Sequence, residues 1–94
     1  MSAYVIGHFT VTDRDVYLSY AAQTADNVAE FGGRFLAKGG DCEWLEGGRH
    51  LRNVIIEFPD MATARRWYAS DSYKKIEPLR LNSSVGELLL LDGF

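Results

Sequence analysis

The chain has 94 residues, of which 47% are hydrophobic and 24% charged, and its formal charge is −3. That is one domain's length of chain (residues 1–94), too apolar for intrinsic disorder and without the basic excess from which nucleic-acid binders draw their affinity. The ten basic residues are scattered; Arg65-Arg66 and Lys74-Lys75, the only adjacent pairs, read as solvated helix surface.

Ala3 to Val11 is rich in β-branched and aromatic residues and predicts a strand. Thr12 or Asp13 then offers a side-chain acceptor for exposed helix N–H groups, and Asp15 suits the positive end of the helix dipole. Val16, Tyr20, Thr24 and Val28 recur at four-residue spacing, with Tyr17, Ala21 and Phe31 widening the stripe. This is an amphipathic helix stopped by Gly32-Gly33. Arg34 to Lys38 predicts a second strand, continued in extended form by Asp41 to Glu46 beyond a Gly39-Gly40 bend. Gly47-Gly48 fits a two-residue hairpin turn, and Arg49 to Phe58 forms the return strand. Pro59-Asp60 ends that strand and caps a helix carrying Met61, Ala64, Trp67 and Tyr68 on one side. Ser70-Asp71-Ser72 restarts a short helical segment through Tyr73, Ile76 and Leu79, which Pro78 is expected to bend or shorten. Val85 to Asp92 is the last strand.

The resulting order is β-α-β-β-α-β. Right-handed crossovers interleave its two halves into an α+β, ferredoxin-like fold, a four-stranded antiparallel sheet of order 4-1-3-2 with both helices on one face. A bare face exposed to water should be polar, but these strands carry apolar residues on both sides. Val54, Ile56 and Phe58 share one face and Ile55 the other; Leu89 and Leu91 oppose Leu88 and Leu90; Val5, Phe9 and Val11 oppose Tyr4 and Ile6. A homodimer with face-to-face sheets is therefore expected, burying on the order of 1,200–2,000 Å².

Cys42 is the only cysteine, which fits a reducing compartment. No leader pattern opens the chain, and the apolar run Leu88 to Leu91 is far too short to cross a membrane. The cytoplasm is the expected location, with no membrane and no nucleic-acid partner.

The blocks Phe31 to Gly40, Glu46-Gly47, Ile56 to Pro59, Trp67 to Tyr73 and Pro78 to Arg80 resemble, in this order and across nearly the whole chain, the DUF1330 family of uncharacterised proteins. That resemblance implies the dimeric α/β-barrel superfamily, in which two ferredoxin-like sheets pack together. It implies no activity. The wider superfamily holds cofactor-free monooxygenases, muconolactone-isomerase-like enzymes and haem-handling enzymes, whose chemistries do not transfer by fold alone.

Alternation puts His8 on the sheet face with Tyr4, Ile6 and Thr10, away from the helices. Asn53, Ile55 and Glu57 share that face of the neighbouring strand. If the register brings His8 to Glu57, the two form an acid/base pair suited to proton transfer; the simpler reading is a hydrogen-bonded interface histidine. Tyr4, Asn53, Tyr68 and Arg80 are candidate ligand contacts, although Trp67, Tyr68 and Tyr73 at that spacing read first as core and Arg80 reads first as pairing with an acidic neighbour. His50 is expected beside the hairpin, away from His8. No HxH, HxxE, CxxC, GxGxxG or Walker spacing occurs, so no metal or cofactor is expected. The strand Leu51 to Phe58 lacks the stacking aromatics of RNA-binding domains of the same topology. The expected function is small-molecule binding by a homodimer without established catalysis. The alternative is a cofactor-independent isomerase or monooxygenase acting on a small apolar or aromatic compound, so enzyme status stays open.

Overall fold

The local signals at the helix ends set the element boundaries. Asp13 accepts from the Val16 N–H and starts α1 (Arg14–Glu30), while Asp60 accepts from Thr63 and starts α2 (Met61–Ala69). Ser70 closes α2 through the Trp67 carbonyl and opens α3 (Asp71–Leu81) by accepting from Tyr73. Beyond α1, Gly32 takes the positive φ of 71° that a left-handed helix stop requires. The strands are β1 (Ala3–Val11), β2 (Arg34–Lys38), β3 (Arg52–Phe58) and β4 (Ser84–Asp92).

The computed structural model describes residues 1–94. Its four strands form one antiparallel sheet in the order β2-β3-β1-β4, the ferredoxin-like arrangement expected from the sequence. The helices cover one face. Ala3, Val5 and Phe9 of β1 and Val54, Ile56 and Phe58 of β3 are buried there, against Tyr17, Tyr20, Val28, Ala64, Trp67, Tyr73 and Ile76. The indole of Trp67 is 1% exposed. Its N–H donates to the Asn27 amide oxygen at 2.6 Å, and the Asn27 NH₂ donates to Ser72 Oγ at 2.8 Å. A buried indole N–H left without a partner would cost roughly 1–3 kcal/mol, so the polar Asn27 belongs on the apolar stripe of α1.

The opposite face is uncovered, and its register divides it into three rows. In the middle row, Ala37, Ile55, Ile6 and Leu89 lie side by side across all four strands. On one side of it run Arg34, Glu57, Tyr4 and Leu91, and on the other Asn53, His8 and Glu87. Leu89 and Leu91 are 42% and 51% exposed, because no element of this chain shelters them.

Three expectations change. Gly47 and Gly48 do take positive φ angles of 63° and 91°, but they lie within a connection from Gly39 to Leu51 rather than a two-residue turn. Asp41 to Glu46 is not extended strand, and β3 begins at Arg52 rather than Arg49. The β2–β3 ladder ends early, through a bulge between Phe35 and Ala37, at the Lys38–Val54 pair. Pro78 neither ends nor shortens α3. It sits on the solvent side, where the Lys74 carbonyl it leaves unbonded faces water, while Tyr73, Ile76 and Arg80 anchor the other side in the core.

Candidate functional site

The polar row at one end of the open face is the first concentration of chemistry. His8 Nδ1 lies 2.7 Å from Asn53 Oδ1, its cross-strand partner. The Asn53 NH₂ points to the His50 carbonyl at 3.4 Å, which fixes the amide orientation and makes Oδ1 the acceptor. His8 therefore carries its proton on Nδ1, leaving Nε2 as a lone-pair nitrogen without a protein partner. Glu87 stands opposite His8 on the other neighbouring strand.

The segment between β2 and β3 folds over this end of the sheet. His50 Nδ1 bonds Thr10 Oγ1 at 2.8 Å, and the Trp44 indole N–H donates to the His50 carbonyl at 2.8 Å. The Trp44 ring lies 5.6 Å from the His8 ring, centroid to centroid. Together His8, Trp44, Gly48, Arg49, His50 and Glu87 line an open polar recess of about 160 Å³.

The expected His8–Glu57 pair does not form. The register sets Glu57 opposite Tyr4, four residues along β1 from His8. The Glu57 carboxylate instead accepts from Arg34 Nε at 2.8 Å, and that hydrogen bond is the main reason its pKa lies below the usual carboxylate range. Glu87 is the carboxylate beside His8, and His50 lies beside His8 rather than away from it. Tyr4 joins the Glu57–Leu91 row, remote from the pocket. No three His, Cys, Asp or Glu side chains converge as a metal site would require.

Arg80 is not a surface ligand contact. It is buried, donates from Nε to the Tyr73 hydroxyl at 3.3 Å, lies 3.8 Å from Glu77 and sits over the Phe9 ring. Tyr73 and Tyr20 share a buried O–H bond of 2.9 Å. Burial holds the Tyr20 phenol protonated far above its ordinary range, with the neighbouring Tyr73 adding to the effect.

The second concentration is on the helix side. Short α2 covers the edge strand β4 incompletely, leaving a cleft of about 400 Å³ lined by Val5, Ala64, Trp67, Tyr68 and the β4 residues Leu88, Leu89 and Leu90, with Arg65 its one charged side chain. The Tyr68 ring stacks near Trp67 and Tyr73 and carries the Lys74 ammonium 3.8 Å from its centroid. Of the aromatic block, Trp67 and Tyr73 are core and Tyr68, 42% exposed, faces the cleft.

The fold and its two recesses can be set against known proteins. The family model described as a domain of unknown function, DUF1330, matches residues 2–94. The chain belongs to the DUF1330 family. No curated protein sequence matches this DUF1330 chain significantly. Among solved structures it is similar to RPA0582, a protein of unknown function from Rhodopseudomonas palustris, with a TM-score of 0.80 at 15% identity over 99% of this chain and 82% of that one. It is also similar to a dimeric ferredoxin-like protein of unknown function from Jannaschia sp. CCS1 (TM-score 0.74, 14% identity, 100% and 99% covered). A third is SnoaB, a cofactor-independent oxygenase from Streptomyces nogalater (TM-score 0.67, 19% identity, 99% and 93% covered). At these identities the likenesses establish a shared fold for this DUF1330 member. No helix in it is long and apolar enough to cross a membrane.

Proposed function

We propose that this DUF1330 protein is a homodimer that binds a small, flat, largely apolar compound with an anionic group in the cleft between α2 and β4. The cleft itself carries the reading. Its volume of about 400 Å³ falls in the range of small-molecule sites, its walls are apolar and aromatic, and Arg65 supplies a single cation. Neither a nucleophile nor an acid/base pair lines it, which favours binding over catalysis there.

The dimer half of the reading rests on the uncovered middle row. Ile6, Ile55 and Leu89 form an apolar band across the sheet, and a second copy offers the matching band. The fold is shared with a protein described as dimeric, which supports the same arrangement, a barrel of two sheets. A cytoplasmic location fits the exposed, unpaired Cys42. The charge of −3 gives nucleic acid no footing as a partner.

The test of the binding site is titration with 1-anilinonaphthalene-8-sulfonate, an aromatic sulfonate of the chemistry described. Saturable binding, weakened at least fivefold by Arg65→Ala and by Tyr68→Ala with the circular dichroism unchanged, is expected. Binding unaffected by either substitution would move the site elsewhere.

A further inference from the structure

The polar pocket at the other end of the molecule holds two imidazoles from separate elements, and both are tethered in the same way. His8, from β1, is tied through Nδ1 to Asn53, and His50, from the β2–β3 connection, is tied through Nδ1 to Thr10. Neither Nε2 has a hydrogen-bond partner in the chain, and both residues line one space of about 160 Å³. That space is less than half the volume of the α2–β4 cleft, about 160 Å³ against about 400 Å³.

The charged groups around this space are Arg49 and Glu87. Arg49 forms no ion pair, so its guanidinium is available for a carboxylate in the bidentate manner arginine favours. Glu87, the cross-strand neighbour of His8, suits an imidazole that becomes cationic during turnover. Trp44 also lines the space, its ring tilted against that of His8.

We infer that this pocket, at the end of the open face beside the apolar band through which two copies would pair, is a proton-transfer site for a small 2-oxo carboxylate, separate from the α2–β4 cleft. Arg49 holds the carboxylate. Neutral His8 takes a proton from the carbon next to the carbonyl through Nε2, and the C–H electron pair becomes the C=C bond. The carbonyl π pair moves to oxygen, which receives a proton from protonated His50 Nε2. The keto form becomes the enol, one imidazole gains the proton the other loses, and the reverse passage restores both. No oxidant, metal or cofactor enters the balance. Asn53 acts as a positioning residue, because its amide oxygen fixes His8 in the tautomer whose Nε2 is the base.

The reaction is read by proton NMR in D₂O as loss of the methyl signal of pyruvate, a three-carbon 2-oxo carboxylate. Exchange well above that of free imidazole at equal concentration is expected, saturating with pyruvate. His8→Gln and His50→Gln should each slow it at least tenfold, and Arg49→Gln should raise the half-saturating concentration. Asn53→Ala should lower the maximal rate and alter its pH profile, an effect that loss of packing alone would not give. Exchange no faster than imidazole, or rates retained in folded His8→Gln and His50→Gln variants, would overturn the proposal. These outcomes are independent of sulfonate binding at Arg65 and Tyr68, so either site can fail without the other.

Discussion

The imidazole of His8 and the amide of Asn53 meet across the two central strands at 2.7 Å, and the second hydrogen bond of Asn53, to the His50 carbonyl, determines which of its atoms faces the ring. One asparagine thus couples the chemistry of β1 to the placement of the long connection between β2 and β3. The first prediction is spectroscopic. Nitrogen-15 shifts of neutral His8 should show a single tautomer protonated at Nδ1, and Asn53→Ala should convert it to a mixture; unchanged shifts in the variant would mean that Asn53 does not set the tautomer.

Ile55 and Ile56 are consecutive and face opposite ways, so they separate assembly from stability. Ile56→Ala, on the helix side at 2% exposure, should cost about 2–5 kcal/mol in denaturant unfolding and leave assembly intact. Ile55→Glu should leave the helix-side core folded and halve the molecular mass in solution. If Ile55→Glu unfolds the chain and Ile56→Ala alters only its assembly, the two faces are reversed.

Asn27 is required by Trp67. Asn27→Ala should destabilise the protein by roughly 1–3 kcal/mol, because the indole N–H loses its only acceptor inside the core. Urea unfolding checks this, and Ser72→Ala, which removes a partner of Asn27 but none of Trp67, should cost less.

The pH dependence has two limbs of opposite origin. The Thr63 backbone N–H holds Asp60 below its usual 3.8, with Arg34 doing the same for Glu57. Their contribution is complete above the unfolded value and is lost as pH falls through the lower folded one, so stability declines below about pH 4. Asp60→Asn, which keeps a capping acceptor, should flatten that acid limb. Tyr20 is shifted the other way from its usual 10.0. Its contribution is present below that value and is lost as pH rises beyond it, so stability declines in alkali. Tyr20→Phe should flatten the alkaline limb; an alkaline limb unchanged in that variant would show that Tyr20 does not govern it.

Much of the architecture was legible because alternation and capping are local. Val5 and Phe9 against Tyr4, Ile6 and His8 declared the two faces of β1, and Asp13, Asp60 and Ser70 declared the helix starts. Register is not local. The sequence placed Asn53 and Glu57 on the same face but could not say which stood opposite His8, and the four-residue offset between them decides the site. The contribution of Glu87 was hidden for the same reason. His50 and Trp44 were missed because Gly47-Gly48 reads as a tight hairpin, whereas the bulge after Phe35 ends the ladder early and leaves residues 39–51 to fold back over Thr10 and His8. A signal was present in Trp44, Leu45 and Leu51, large apolar residues in a segment without clean strand alternation. Pro78 misled because its effect depends on which way it faces, which composition does not reveal.

Sedimentation equilibrium of the unaltered protein from submicromolar to tens of micromolar most directly probes the exposed band formed by Ile6, Ile55 and Leu89. Twice the chain mass over most of that range is the expected result. A single-chain mass throughout would contradict it, leaving those side chains open to water and removing the basis for a barrel of two sheets.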